Sequence, residues 1–377
     1  MKLLITDGMF PNKYTTWRNY AILELINKFD TSILVKHGKS WAGIDYEVDF
    51  KYKAFKNILN DEYRFLIFDP HYNSLNKYNK NFDGTKFNIN TPHYSYLLTK
   101  EEKFKIEEYD AIYHIFLGCY LDFNINFSFP KSKQLIHMYA GGGFNNVNQD
   151  LSDIDNDTHV ISTHPLTSKR LSNMNINFID CWTTPLFEKN EESYLPGRNS
   201  SRLNVCFASM GHGKEKGDRK FVWIARLYRL RYPRSKVRFV SIGNCKKSRF
   251  IKNFGPMAFD ELELFYRSNI DIYVNTSTKF AFNGWPLGLE SMKNGCLMLT
   301  TDVNKVSNLY EAEKYSIYPV EKIREFIKEI RKYDLSHDLF FDHAKKHGEF
   351  VQHYAGYPNQ QFKIINKLKT MVNLTKM

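Results

Sequence analysis

Asp271-Ile272-Tyr273-Val274-Asn275-Thr276-Ser277, followed by Asn283-Gly284-Trp285-Pro286-Leu287-Gly288-Leu289-Glu290-Ser291-Met292-Lys293-Asn294-Gly295, has the order of a strand, a loop and a helix. Its first piece is a short apolar run ending in polar residues, the pattern of a buried parallel strand. In the second piece Gly284, Pro286 and Gly288 shape a tight loop whose N–H groups can approach a ligand closely, and Pro286 suits the first turn of a helix. A strand that feeds a helix in this way aims unpaired N–H groups and the positive end of the helix dipole at the loop, a place that favours diphosphate oxygens. Glu290, about one turn into the helix, has the oxygens to accept hydrogen bonds from two vicinal hydroxyls of a ribose. Spacing alone fits a structural loop and a surface glutamate equally well, because such loops recur in any doubly wound sheet.

Outward from this segment the same grammar repeats. Strands are predicted at Leu203–Ala208, Lys236–Ile242, Asp271–Asn275 and Cys296–Thr300, and helices at Phe221–Tyr232, Phe259–Arg267 and Leu287–Asn294. A glycine-containing loop, Gly211–Gly217, joins the first of these strands to the first helix. Strand and helix alternating four times make a Rossmann-like sheet. The tail carries helical stretches at Val320–Tyr333, Leu339–Gln352 and Asn359–Val372.

The first half alternates likewise, with strands expected at Leu3–Thr6, Ser32–Lys36, Phe65–Asp69, Ala111–Phe116, Gln134–Tyr139 and His159–Thr163 and an amphipathic helix at Trp17–Lys28. The polar run Ser193–Arg202 reads as an interdomain linker. A chain of 377 residues is long for one core and comfortable for two, so a cleft between domains is expected. The boundaries read as an N-terminal domain over 1–195, a second domain over 196–354, and a helix over roughly 355–377 that returns to the first.

Composition narrows the class. With 42% hydrophobic and 25% charged residues the chain is that of an ordinary folded protein. No stretch approaches the ~18 apolar residues of a membrane-spanning helix, and the apolar run at Met1–Asp7 is short for a signal peptide. Cys119, Cys181, Cys206, Cys245 and Cys296 stand singly, which indicates neither a disulfide framework nor a zinc site and fits a reducing cytoplasm. The net charge of +12 is uneven: residues 196–377 hold 32 Lys and Arg against 17 Asp and Glu, whereas residues 1–195 hold 21 against 24. A basic half attracts polyanions, nucleotide diphosphates or an anionic membrane surface at which the protein would be peripheral, and it equally describes a solvated lysine-rich surface.

The donor-loop segment resembles the signature of the large retaining group of GT-B enzymes, glycosyltransferase family four, in which an acidic residue, a Gly/Pro loop and a second glutamate precede a helix ending in glycine. The likeness extends to Val205–Ala208 and Lys216-Gly217, which resemble that group's first strand and Lys-Gly phosphate loop, and covers roughly residues 203–300. It implies an α/β GT-B fold, two Rossmann-like domains whose parallel sheets face a central cleft. It implies a hexosyl- or pentosyltransferase, retaining and metal-independent, with a UDP- or GDP-linked sugar as co-substrate and no separate cofactor. Glu290 falls on the ribose-binding glutamate, Lys216 on the phosphate-binding lysine, and Leu287 and Gly288 on the loop amides that meet the donor. Two positions depart from the pattern. Asn283 or Phe282 stands where the first glutamate belongs, and Gly211 or His212 where an arginine precedes the lysine, leaving Lys214, beside Gly213, as a second cation without bidentate geometry.

Elsewhere, Asp7 closes the first strand and Arg18 opens the first helix, on the side where ligands of parallel sheets sit. His137, before Ala140-Gly141-Gly142-Gly143, reads either as a strand-end histidine near an acceptor or as a hydrogen-bonded core histidine, and His164 is a weaker candidate of the same kind. His137 and Asp7 are the first candidates for a general base if configuration is inverted. Asp153-Ile154-Asp155-Asn156-Asp157 has the form of an Asp-x-Asp metal motif but lies in a polar run without a convincing preceding strand, so no metal is expected. No Gly-x-Ser-x-Gly, His-Glu-x-x-His or Walker pattern occurs. The expected acceptor is a glycan, a glycolipid or another lipid-linked hydroxyl, the setting being glycan biosynthesis. The rival reading is a nucleic-acid-binding protein, or a glycosyltransferase that modifies nucleic acid, but the lysines are dispersed among helical positions rather than gathered in an arm.

Overall fold

In the computed structural model the described residues are 1–7, 22, 25, 26, 28–36, 64–68, 94–98, 106–115, 120, 129–138, 152, 154–163, 165–181, 192–197, 202–209, 216–257, 259–277, 286–302, 307, 308, 310–355 and 359–375. The chain divides into two compact units, one of Met1–Tyr139, Asn146–Thr184 and Gln361–Met377, the other of Ala140–Asn145 and Pro185–Gln360.

The first unit is built on β1 (Lys2–Asp7), β2 (Asp30–Lys36), β3 (Arg64–Phe68), β4 (Tyr94–Leu98), β5 (Ala111–His114), β6 (Gln134–Met138), β7 (His159–Ser162) and β8 (Phe178–Asp180). They form one sheet in the order β4-β3-β2-β1-β5-β6-β7-β8. Every pairing in it is parallel. Parallel strands are buried on both faces, which is why β1, β5 and β6 are continuous runs such as Leu3-Leu4-Ile5 and Ala111-Ile112-Tyr113 rather than alternating ones. Helix α1 (Pro165–Asn173) follows β7, and its Leu171 packs with Ile136, Met138, Val160 and Ile176. Of the amphipathic run expected at Trp17–Lys28, Ile22, Leu25 and Ile26 are helical and buried, spaced as one helix face requires.

The second unit is a five-stranded parallel sheet with helices on both faces. Its strands are β9 (Asn204–Ser209), β10 (Arg238–Gly243), β11 (Lys252–Asn253), β12 (Ile272–Asn275) and β13 (Leu297–Thr300), in the order β11-β10-β9-β12-β13. Its helices are α2 (Asp218–Arg231), α3 (Phe259–Asn269), α4 (Pro286–Lys293), α5 (Ile323–Leu335) and α6 (His337–Ala355). One sheet face turns Val205, Phe207, Phe239, Ile272, Val274 and Leu299 towards Phe221, Ile224 and Tyr228 of α2 and Phe326 and Ile330 of α5. The alternate residues face α3 and α4, where the Tyr266 and Tyr273 rings meet edge to face at 6.1 Å between centroids. Helix α7 (Asn359–Thr375) then joins the first unit, where Lys363 Nζ donates to the Asp180 carbonyl at 3.1 Å.

Four elements escape the sequence reading: β4, β8, β11 and α1. Phe178–Asp180 is only three residues long, and a strand that short is recognised by what it pairs with rather than by its own period. The run expected to link the domains is in part a packed segment. The Ser193 N–H donates to Gln352 Oε1 at 3.0 Å, its Oγ to the Gly348 carbonyl at 2.8 Å, and the Tyr194 N–H to the Lys293 carbonyl at 2.7 Å. Gly295, at φ +83°, ends α4 in the left-handed region, and a Cβ there would meet the Leu195 carbonyl oxygen at 2.9 Å.

Candidate donor site

In an open parallel sheet the ligand crevice lies beyond the carboxyl ends of the strands, where the strand order reverses. In the second unit that place is between β9 and β12. These strands pair only at Ile272 with Val205 and Tyr273 with Cys206. Beyond that short ladder, the residues leading into α2 come to those that follow β12: Thr276 Oγ1 lies 2.9 Å from the Gly217 carbonyl and 3.2 Å from the Lys216 carbonyl, and it donates into this pair. Thr276 is fully buried and Lys216 is 8% exposed.

Gly217 is what allows the approach. It sits at φ +84°, and a Cβ built on it would lie 2.3 Å from the Thr276 carbonyl oxygen and 2.7 Å from its Oγ1. Only glycine meets both conditions, and α2 starts at the next residue, Asp218. The sequence brought Lys216 and Gly217 forward as a phosphate loop; the structure sets them against the end of β12.

The strand ends beside them are held by a buried polar web. Asn275 Nδ2 donates to Thr300 Oγ1 at 3.0 Å, the Ser277 N–H to Asn275 Oδ1 at 3.1 Å, the Thr301 N–H to the Asn275 carbonyl at 3.0 Å, and Thr301 Oγ1 to the Ser277 carbonyl. Buried polar groups satisfied in this way rigidify a position. Sequence reasoning passed over these residues because nothing in Asn-Thr-Ser or Thr-Thr distinguishes a web from a turn.

Helix α4 begins at Pro286, so Leu287, Gly288 and Leu289 carry the first N–H groups, which have no acceptor within the helix. Gly288 has a second duty. A Cβ on it would lie 2.8 Å from Met298 Sδ and 3.6 Å from Tyr273 Cε1, so the missing side chain lets α4 settle onto β12 and β13. Glu290 is 3% exposed, turned inward rather than to bulk solvent. Ser291 Oγ donates to the Gly288 carbonyl at 2.7 Å, and Lys293 Nζ pairs with Glu263 Oε1 of α3 at 3.0 Å. At the sheet edge His347 of α6 accepts the Met298 N–H on Nδ1 at 2.9 Å and donates from Nε2 to the Ser316 carbonyl at 3.2 Å, which caps β13. Burial lowers the His347 pKa to about 3, so the ring is neutral. Gly213, Lys214, Asn283 and Gly284 lie outside the described residues, as does the side chain of Pro286.

In the first unit the strand order reverses between β1 and β5. Asp7 ends β1 in register with Val35, its side chain outside the described set. Across this reversal runs a buried chain that sequence reasoning missed. Thr6 Oγ1 donates to His114 Nδ1 at 2.8 Å, His114 Nε2 to Gln134 Oε1 at 2.8 Å, and Gln134 Nε2 to the Phe129 carbonyl at 2.8 Å. The amide of Gln134 fixes this direction, and burial lowers the His114 pKa to about 3. His137 lies on β6. It is fully buried, its Nδ1 is 2.6 Å from the Tyr113 hydroxyl, and burial lowers its pKa to about 3. Arg18, Gly141–Gly143 and His164 are outside the described residues.

In the Asp-rich run, Asp155 accepts from the Asp157 N–H and from Thr158 Oγ1, each at 3.1 Å, and pairs with Lys131. That is a local turn with a cation on it, and among the described residues no group of three or more His, Cys, Asp or Glu is placed to hold a metal ion.

Two Rossmann-like units with parallel sheets, the last helix returning to the first unit, define the GT-B class of fold. Solved structures share it. The chain is similar to Anabaena HepE in complex with UDP and glucose at a TM-score of 0.61 and 12% identity, covering 98% of this chain and 100% of that one. It is similar to sucrose-phosphate synthase from Thermosynechococcus elongatus at a TM-score of 0.60 and 10% identity, covering 99% and 100%. A mutant O-GlcNAc transferase of Thermobaculum terrenum matches at a TM-score of 0.57 and 10% identity, over 99% of this chain and 67% of that one. By sequence, no family model and no curated protein matches.

Proposed function

We propose that the chain is a glycosyltransferase that moves a hexosyl or pentosyl unit from a UDP- or GDP-linked donor to a hydroxyl of a glycan or lipid-linked acceptor. The observation that carries this reading is the junction at the reversal of the second sheet, where Lys216-Gly217 is locked to Thr276 and α4 opens at Pro286 with Glu290 buried on it. The complexes of HepE with UDP and glucose and with UDP-glucose, on the same fold, support a nucleotide sugar as donor.

As the bond from the anomeric carbon to the diphosphate breaks, negative charge grows on the leaving phosphate. The Lys216 ammonium, the Leu287 and Gly288 amides and the Lys214 cation would stabilise it, fixed donors acting where charge develops. Glu290 takes the ribose hydroxyls, and the Pro286 turn, with Asn283, Gly284 and Gly213, shapes the loops around the nucleotide. Retention of configuration requires no dedicated base; under inversion, Asp7 at the end of β1 is the nearer choice than the enclosed His137. Metal independence is supported by Asp155, whose carboxylate is spent on Lys131 and on its own turn.

Thermal shift and calorimetry with UDP, GDP and UDP-glucose test the reading. A ligand at ~100 times its dissociation constant adds about 2.7 kcal/mol of stability, a readily measured rise in melting temperature. Lys216→Ala should remove most of that gain and of the turnover. If none of the three nucleotides shifts the parent protein, the assignment fails.

A further inference from the structure

The outer face of α2 is not what a helix covering a sheet ordinarily presents. Phe221, Ile224, Ala225 and Tyr228 enter the core. On the opposite side Trp223, Leu227 and Leu230 are 47%, 37% and 64% exposed, with Arg219 and Arg226 exposed on the same face. Positions 219, 223, 226, 227 and 230 recur at helical spacing, so they form one stripe. The Arg226 guanidinium lies over the Trp223 ring at 4.9 Å.

Beside the stripe, α2 and α5 enclose a groove of about 830 Å³. Its floor is apolar, made by Leu227, Leu230, Ile323 and Ile327, and its rim carries Lys220, Arg231, Lys322 and Arg324. The nearby carboxylates are engaged within the protein. Glu325 accepts the N–H groups of Glu321 and Lys322 at 3.2 and 2.9 Å, Glu321 Oε1 accepts the Asp302 N–H at 3.1 Å, and Asp334 takes the Tyr228 hydroxyl at 3.0 Å. Those carboxylates keep their charge, but along the groove Glu321 stands against Lys220, Arg231, Lys322 and Arg324, so the lining is net positive.

We infer that this face of the second unit, the α2 stripe with the α2–α5 groove, docks on an anionic phospholipid bilayer. A helix lying in the interface plane needs apolar and aromatic side chains to enter the headgroup boundary and Arg or Lys around them to meet lipid phosphates, and this face carries both. Arginine suits the phosphates because its planar fork pairs two oxygens at once. The groove between the helices offers an apolar slot with cationic edges, which matches the beginning of an acyl chain below its headgroup. A nucleic acid would use the arginines but has no use for Leu227, Leu230 and an apolar slot. The inference stands apart from the transferase reading, since it concerns a different surface and its readout is binding.

The experiment is cosedimentation of the full chain with vesicles of phosphatidylcholine containing phosphatidylglycerol, and with phosphatidylcholine alone. The parent protein should sediment with the first and not the second, less so as salt rises. Each basic side chain close to an anionic surface is worth about a fivefold change, so Arg219→Gln/Arg226→Gln/Arg231→Gln should weaken binding roughly a hundredfold. Leu227→Asn/Leu230→Asn should remove the part that survives added salt. Removing the same charge elsewhere, by Lys169→Gln/Lys345→Gln/Lys369→Gln, should leave binding close to the parent's. Unchanged melting temperatures certify that the variants fold. Three results overturn the inference: equal loss in both triple variants, preferential binding of single-stranded RNA lost in the arginine variant, or a dimer dissolved by the leucine pair with no vesicle binding.

Discussion

Replacing Gly217 by alanine should damage the candidate donor site and the stability of its unit together. A Cβ at that position meets the Thr276 backbone carbonyl oxygen at 2.3 Å and the carbonyl carbon at 2.8 Å, and backbone cannot rotate away as a side chain can. The residue also stands at φ +84°, where a residue with a Cβ is disfavoured by about 1–2 kcal/mol. Relief of the clash parts α2 from the end of β12 and breaks the hydrogen bond that the Thr276 hydroxyl shares between the carbonyls at 2.9 and 3.2 Å, worth about 0.5–1.5 kcal/mol. Together these come to about 1.5–3.5 kcal/mol, which in a unit of this size lowers the melting temperature by roughly 5–10 °C. Calorimetric unfolding measures that fall, and titration with UDP measures the second effect, a dissociation constant raised roughly tenfold or more as Lys216 is displaced. Gly197→Ala is the control, since nothing lies within 4 Å of a Cβ there, and its effect should stay below about 1 kcal/mol. If Gly217→Ala melts within about 2 °C of the parent and binds UDP equally well, the reasoning about this junction is refuted.

Gly288→Ala drives a methyl against Met298 Sδ at 2.8 Å and should destabilise by about 1–3 kcal/mol; in the double variant with Met298→Ala the losses should sum to less than their parts, and simple additivity would exclude the contact as the cause. His114, His137 and His347 are each held near pKa 3 against an ordinary 6.5, so the unfolded chain binds more protons below 6.5. Their stabilisation is whole above pH 6.5 and drains away as pH falls from 6.5 towards 3, about 1.4 kcal/mol per pH unit for each ring. Urea midpoints at pH 7 and 5 should show it, with a shallower fall for His347→Gln; equal slopes would clear His347 of the effect. Lys293→Ala leaves the Glu263 carboxylate facing a buried gap and should destabilise by about 2–4 kcal/mol in thermal unfolding, whereas Lys293→Met/Glu263→Gln should be milder; the reverse order would contradict the pairing.

Much of the second unit was legible because each of its elements carries a signal of its own length scale. Val205–Ala208 and Ile272-Tyr273-Val274 are apolar runs, Phe221-Ile224-Ala225-Tyr228 repeats at helical spacing, and Pro286 marks the first residue of α4. The first unit was legible in its long strands and silent at Phe178–Asp180, where three residues hold no period. Tyr94–Leu98 had the aromatic composition of a strand but no flanking helix pattern to announce it.

What the amino-acid order determined, taken alone, was the alternation of strands and helices, the excess of cations after residue 196, and the residue types grouped around Lys216 and Glu290. These are local properties, written in spacing and composition. Only the folded chain decided which distant residues meet: that Thr276 closes on Gly217, that the empty side of Gly288 faces Met298, that His347 caps the last strand 49 residues before it, and that His137 is enclosed. Hydrogen bonds and close contacts between residues far apart in sequence are set by strand order and register, and neither is encoded in any window short enough to be read along the chain.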